Sequence, residues 1–297
     1  MTSRTGDTSV NNTLAELARA LGTAVVSGIP LPVGFGLTGL RVRFADGREA
    51  AVKAGGASTH DGLRHLPLQA AMLRDLARSG LPVPRVWHAS DGLLVMEWIG
   101  NDGGAPDAAA QRHAAELLAA LHGRPRECFG YAHDTLIGPL RQPNPQCGSW
   151  IEFFRDHRLL HMAARAHEER ALPAAMLSRL ERFAGKLGGF LAEPRHPALI
   201  HGDVWGGNLL VKGSRVAGFI DPAVCFAHPE IELAFSTLFG TFSRPFFDAY
   251  EAIAGIEPGF HETRKDIYNL YPLLVHLRLF GGSYLKPIDA TLHRLGH

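Results

Sequence analysis

Apolar residues recur with two periods along this chain, and the change of period divides it. Leu14, Leu17, Ala18 and Leu21 fall on one helical face, with Thr13 and Glu16 as a capping box and Gly22 as a stop. Period-two spacing follows. Residues 31–39 form a glycine-rich turn, and 40–44, the turn Ala45-Asp46-Gly47 and 49–53 complete a three-strand meander. Residues 63–79 return to helical spacing, with Leu66, Gln69, Leu73 and Leu76 along one stripe. Pro82 and Pro84 break that helix, and two short strands, 85–88 and 93–97, meet across Ser90-Asp91-Gly92.

Residues 100–106, Gly-Asn-Asp-Gly-Gly-Ala-Pro, read as a linker. Beyond it helical spacing dominates, over 107–122, 147–170, 173–192, 230–240, 244–254 and 262–285, interrupted by a strand-rich island at 198–226. This order predicts two lobes joined by a hinge, a β-rich part over 1–99 and a helical part over 100–297. The uncharged stretch from Ala20 to Leu40 has the length of a membrane span, but it holds five glycines and two prolines and reads as loop and strand.

Composition narrows the class. With 297 residues, 46% hydrophobic and 20% charged, the chain has ample material for a core and is a poor match for disorder, collagen or coiled coil. A formal charge of +1 argues against nucleic acid or an anionic membrane as partner. Cys128, Cys147 and Cys225 form no CxxC pair, which suits a reducing compartment, and the polar N-terminus lacks a signal-peptide core. A cytoplasmic protein is expected. Sixteen histidines suggest a net charge that responds to pH near 6–7.

The island carries the chemistry. His201-Gly202-Asp203 and Asn208 share one loop between apolar strands, Lys212-Gly213-Ser214-Arg215 makes a hairpin turn, and Ile220-Asp221-Pro222 ends the next strand. Hairpin pairing brings Asn208 beside Asp221, with Asp203 across the same mouth. Phosphoryl transfer needs such a set: one carboxylate to accept a hydroxyl proton, and an amide oxygen with a second carboxylate to hold Mg2+. Gly, Asp and Asn also serve any tight turn. The full HGDxxxxN, hairpin and IDP series is far more specific than HGD alone.

With its flanks, this series resembles the fructosamine/ketosamine kinase family of the protein-kinase-like superfamily. The resemblance runs through Ile137-Gly-Pro-Leu-Arg-Gln-Pro-Asn144, Trp150, Phe153-Phe154, His201 to Asn208, Ile220-Asp-Pro-Ala-Val224, His228-Pro-Glu230, Leu238-Phe-Gly240 and Asn269 to Leu274, and ends in Leu279-Phe-Gly-Gly-Ser-Tyr-Leu285. It implies a two-lobed α+β fold of protein-kinase type, with ATP and Mg2+ as cofactors. Asp203 would be the catalytic base, and Asn208 and Asp221 the metal ligands. Lys53 would hold the nucleotide phosphates, under a loop containing Gly34, Gly36 and Gly39. Glu97, Trp98 and Ile99 would form the adenine hinge. Trp205 is a family feature that would stack on the sugar or anchor the core, and His228 is expected near the substrate mouth or at the surface.

Two positions depart from the family pattern. Gln69 stands where kinases of this fold carry the glutamate that pairs with the lysine, so its oxygen is expected to accept a neutral bond from Lys53. Glu232 stands where aspartate is usual, and its extra methylene is expected still to reach a structural partner near the catalytic loop. The substrate implied is a small-molecule or protein-bound ketosamine, phosphorylated on a sugar hydroxyl in glycation repair. Competing readings are a kinase for an aminoglycoside or amino alcohol, or a nucleotide-binding scaffold of low activity. Residues 241–297 hold six Asp/Glu and six Lys/Arg, so the acid-rich wall expected for a polycationic antibiotic is not evident. Nothing in the sequence specifies an oligomeric state.

Overall fold

A computed structural model of the chain describes residues 5–55 and 63–297, with side chains from Thr13 onward. Helix α1 (Thr5–Leu21) begins well before the expected cap, so Thr13 is buried inside it and is not its first turn. Thr and Asn favour caps without forbidding helix interiors. Strands β1 (Val25–Leu31), β2 (Thr38–Phe44) and β3 (Glu49–Ala54) follow, so the uncharged stretch is an exposed edge strand and a turn. After helix α2 (His65–Arg78), β4 (Val86–Ala89) and β5 (Leu93–Glu97) complete an antiparallel sheet ordered β1-β2-β3-β5-β4.

Helices cover both faces of this sheet, which is why β5 is apolar without alternation. Leu93 and Val95 pack with Leu17 of α1, whereas Leu94 and Met96 pack with Leu66, Ala70 and Leu73 of α2. The same alternation sorts β3. Ala50, Val52 and Ala54 face α1, and Ala51 packs toward α2, so Lys53 shares the α2 face.

Residues 98–107 contain no regular element, yet they are no loose tether. The Asp102 N–H donates to the Val211 carbonyl at 2.9 Å, and Asp102 Oδ2 accepts the Gly213 N–H at 2.6 Å. Helix α3 (Ala108–His122) is capped by Asp107, whose carboxylate accepts the Ala109 and Ala110 amides. A short hairpin follows, β6 (Thr135–Ile137) and β7 (Leu140–Gln142), at strand lengths too brief for the periodicity to register. Helices α4 (Trp150–Phe154) and α5 (His161–Glu168) run together through a π-turn, and α6 (Ala174–Ala184) follows.

The island resolves into two antiparallel pairs. Strand β8 (Ala198–Ile200) pairs with β11 (Cys225–Ala227), and β9 (Leu209–Lys212) with β10 (Arg215–Phe219). Helices α7 (Pro229–Leu238), α8 (Arg244–Ala254), α9 (Lys265–Phe280) and α10 (Leu285–Arg294) complete the chain. The helix expected over 262–285 is α9, which stops at Phe280 because Gly281 (φ +92°) ends it, and α10 begins only at Leu285.

The larger core gathers around Trp150, which touches the rings of Phe129, Phe153, Phe154 and Tyr268. Arg158 is only 1% exposed. Its guanidinium lies 4.6 Å over Phe153 and donates to the Pro143 carbonyl (2.7 Å) and Asn144 Oδ1 (2.6 Å). Burial lowers the pKa of His161 to about 4 and that of His228 to about 3, so these imidazoles stay neutral near pH 7 and do not supply the expected charge response. Among the described residues, no helix is long and apolar enough to cross a membrane.

Helix α2 belongs to both cores. Leu66, Ala70 and Leu73 face the sheet, whereas Met72 and Leu76 join Leu81 in the large helical core. Leu76→Ala is expected to cost about 2–5 kcal/mol of stability. The cost is read from the urea midpoint, and unfolding at the wild-type midpoint would show that α2 does not bridge the two parts.

Candidate active site

The loop after β8 and the loop after β10 cross at van der Waals limits. The Ala223 N–H donates to the His201 carbonyl at 2.8 Å, and Gly202 adopts φ +85°. A Cβ on Gly202 would lie 2.1 Å from the Ala223 carbonyl oxygen, so only glycine fits. Asp203 follows Gly202 directly, and Asp221 lies two residues before Ala223, so both aspartates flank the crossing. Asp221 itself has φ +55°, a left-handed conformation that aspartate tolerates better than most residues.

Asn208 ties the two loops together. Its Nδ2 donates to the Asp203 carbonyl (2.9 Å), to Asp203 Oδ2 (2.8 Å) and, at 3.5 Å, to the Asp221 carbonyl. Asp203 has its pKa raised to about 7. Burial is the main cause, the Asn208 donor pulls the other way, and the nearby Asp221 and Glu232 carboxylates raise it further. His201 is fully buried, lies 5.8 Å from the Phe219 ring and accepts the Asp203 N–H on Nδ1 at 3.3 Å. Burial lowers its pKa, so it supports the loop as a neutral ring.

Register brings the sheet to this loop. Gly39 pairs with Lys53, which seats the glycine turn above the end of β3. Lys53 Nζ lies 2.5 Å from Asp221 Oδ1, and Gln69 Nε2 donates to the same oxygen at 2.6 Å. The expected Lys53–Gln69 bond is absent: Gln69 Oε1 has no partner among the described residues. A carboxylate is the stronger acceptor for an ammonium, so Lys53 chooses Asp221 and Gln69 turns its amide N–H toward it.

The remaining expected residues divide. Gly34 closes a turn with Leu37 N–H on its carbonyl (3.3 Å), and Gly36 needs its positive φ of +73°. Ile99 packs over Gly218, where a Cβ would meet Ile99 Cδ1 at 2.5 Å, so the segment 97–99 abuts the strand that leads to Asp221. The Trp98 ring stacks on Arg41 at 4.5 Å, and Arg41 in turn pairs with Glu49. Trp205 is half-exposed, its indole folded over Gly207 and edge-on to Phe239 at 5.9 Å. His228 is not at this mouth. It caps α7 by accepting the Glu230 N–H on Nδ1 at 3.1 Å, between the rings of Trp150 and Tyr268.

Glu232 reaches this loop as expected, whereas its further partners and the supports behind the Asp221 loop were not anticipated. Glu232 Oε1 accepts the Gly202 N–H at 2.6 Å while Oε2 meets His122 Nε2 at 2.7 Å, and His122 Nδ1 meets the Tyr250 hydroxyl at 2.8 Å. The extra methylene of glutamate thus reaches both the catalytic loop and α3. Behind the Asp221 loop, Gln142 Nε2 donates to the Ala223 carbonyl (3.1 Å) and Thr135 Oγ1 to that of Val224 (3.0 Å), which explains the polar residues of the 137–144 tract. Beyond Glu232, the histidine at the apolar end of α3 was the sequence signal for the first network.

A bilobal kinase-like core of an antiparallel sheet, a lysine and crossed aspartate loops is the class that this fold and site define. A fructosamine kinase family model matches residues 58–296, and the chain belongs to that family. It is 36% identical over 233 residues to a protein of Synechocystis sp. named a probable ketoamine kinase, covering 76% of this chain and 75% of the relative. Its fold matches a crystal structure from Thermobifida fusca assigned as a fructosamine-3-kinase, with TM-score 0.84, 32% identity, and coverage of 95% of this chain and 98% of that one. An aminoglycoside phosphotransferase in complex with streptomycin and ATP shares the fold at TM-score 0.64 and 16% identity, covering 97% of this chain and 96% of that one.

The crossing makes a contrast within one loop. Gly202→Ala is expected to lower the melting temperature and abolish turnover, because it combines an unfavourable φ with a clash against backbone, whereas Gly206→Ala, which meets nothing within 4 Å, keeps the wild-type melting temperature. Equal melting curves for the two variants would refute the close crossing.

Proposed function

We propose that this chain is a cytoplasmic ATP-dependent kinase that phosphorylates a sugar hydroxyl of a ketosamine, freeing the amine in glycation repair. The observation that carries this reading is the continuous chain Lys53–Asp221–Asn208–Asp203, in which each contact is within hydrogen-bonding distance. Family membership narrows the acceptor to ketosamines, as the named relative suggests.

ATP lies between residues 1–99 and 100–297 in this reading. Glu97 and Ile99 offer backbone groups to adenine, with Trp98 alongside. Gly34 and Gly36 let the turn approach the phosphates, and Lys53 holds α/β oxygens. Asp203 takes the proton of the acceptor hydroxyl as its oxygen bonds to the γ-phosphorus. The bond to the β,γ-bridging oxygen breaks and ADP leaves with that electron pair. Trp205 sits two residues from the base and offers a ring face to the sugar.

The donor set fits Mg2+. Asn208 spends its N–H groups on Asp203 and Asp221, which leaves its Oδ1 to act beside the Asp221 carboxylate. Among the described residues, no group of three His, Cys, Asp or Glu could hold a metal by itself. A hard ion held by two side-chain oxygens, with phosphate and water completing the shell, is the usual magnesium arrangement. When bound, Mg2+ neutralises charge on the phosphate oxygens.

Asp203→Asn is expected to lower turnover of fructosyl-lysine or ribulosyl-lysine by about 10²–10⁴-fold while thermal stabilisation by Mg-ATP persists. Turnover within a few-fold of wild type would remove Asp203 from the role of base. Gln69→Glu is expected to draw Lys53 away from Asp221 and so lower the Mg2+ concentration for half-maximal activity by about two- to tenfold, the worth of roughly 0.5–1.5 kcal/mol. An unchanged magnesium requirement would show that Gln69 does not govern Asp221.

A further inference from the structure

Four large aromatic side chains stand exposed on the C-terminal side of the catalytic loop and beneath the glycine turn: Phe35 (46%), Trp205 (40%), Phe239 (42%) and Phe280 (58%). Three of them are joined ring to ring. Trp205 meets Phe239 at 5.9 Å, Phe239 meets His276 at 5.0 Å, and His276 meets Phe280 at 5.4 Å. Phe35 approaches from the other side: its ring and Leu279 both come within 3.5 Å of where a Cβ on Gly138 would be. The wall is fastened to the catalytic loop, since the Gly206 N–H donates to Thr241 Oγ1 at 2.9 Å.

The wall is also uncharged. Residues 235–242 contain no ionisable side chain, and Arg278, the one charged residue within 276–285, is turned away to pair with Glu169 at 2.5 Å. His276 donates from Nδ1 to the Pro272 carbonyl at 2.7 Å, and burial lowers its pKa, so its Nε2 carries a lone pair. An exposed apolar surface of this kind, continuous with a catalytic loop, is suited to a substrate's apolar part.

We propose that the Phe239–His276–Phe280 wall is the subsite for the substituent on the substrate's amine nitrogen, and that it selects apolar, above all aromatic, substituents over charged ones. The assignment rests on the ketosamine reading above. With the acceptor hydroxyl at Asp203 and the sugar against Trp205, the amine and whatever it carries extend along the ring contact from Trp205 to Phe239. A flat hydrocarbon substituent then stacks on the wall, and the His276 Nε2 lone pair offers the amine N–H an acceptor within it. A carboxylate there would lose water and gain no partner.

The test uses three adducts of one sugar, ribulose, on phenethylamine, butylamine and glycine, with Mg-ATP as donor. In the wild type, KM is expected to rise from phenethylamine through butylamine to glycine, spanning about tenfold, with kcat varying less than KM. In Phe280→Ala, which removes a surface side chain, the ratio of the glycine to the phenethylamine KM falls toward one, and Phe280→Tyr restores it. Turnover of all three adducts with equal KM, or a ratio that Phe280→Ala leaves intact, overturns the wall while the kinase reading stands. Failure to phosphorylate any ketosamine overturns that reading and this assignment with it.

Discussion

The close crossing of Gly202 under the Ala223 carbonyl is the constraint on which the site depends. Strands β8 and β11 pair through Ile200 and Cys225, so their following and preceding loops leave the ladder at the same level and have to pass each other. Without room for a Cβ at Gly202, the two backbones touch, and Asp203 and Asp221 emerge close enough for a single asparagine to reach both. Every other contact of the site is arranged around that proximity. Glu232 holds the Gly202 amide from below, while Gln142 and Thr135 hold the Ala223 and Val224 carbonyls from behind.

These supports are buried and polar, which makes them sensitive to single changes. Glu232 and His122 are almost wholly enclosed, and each spends both polar atoms of its side chain on a neighbour. A buried network of this kind stabilises one geometry because any rearrangement strands a donor or acceptor away from water. The rigidity matters for catalysis that consists of placement. In the proposed reading, the base, the amide oxygen and the second carboxylate have little to do beyond being in position when a nucleotide and an acceptor arrive.

The parts of the molecule that were legible in the sequence are those in which local pattern and tertiary demand agree. The stripe of α2, the β9–β10 hairpin and the HGDxxxxN loop all carry their own turn or periodicity, and β3 alternates cleanly, although only the family resemblance singled out Lys53 within it. The start of α1 was misread because Thr13 and Glu16 satisfy a capping pattern that the longer helix overrides. The β6–β7 hairpin has three-residue strands, too short for any period. His228, expected near the mouth or at the surface, instead caps α7, because Pro229 starts that helix and the imidazole turns back to the Glu230 amide. The wall of Phe239, His276 and Phe280 comes from two helices far apart in the chain, and no local signal marks them as neighbours.

Gln69 and Glu232, the two departures from the family pattern, have related consequences. A glutamate at position 69 would set a second negative charge beside Asp221, tolerable only with Lys53 between them. Glutamine removes that charge and supplies an N–H, so Asp221 receives two donors on one oxygen and Lys53 is committed to the Asp221 loop. At position 232 the longer acid gains His122 without giving up Gly202, coupling α3 and α8 to the catalytic loop. Both substitutions tighten the hold on a carboxylate-bearing loop, one from the sheet side and one from the helical side. The shared effect is positional: Lys53 and Gln69 fix one oxygen of the Asp221 carboxylate, and Glu232 fixes the Gly202 amide next to Asp203, so both loops are held from outside the crossing.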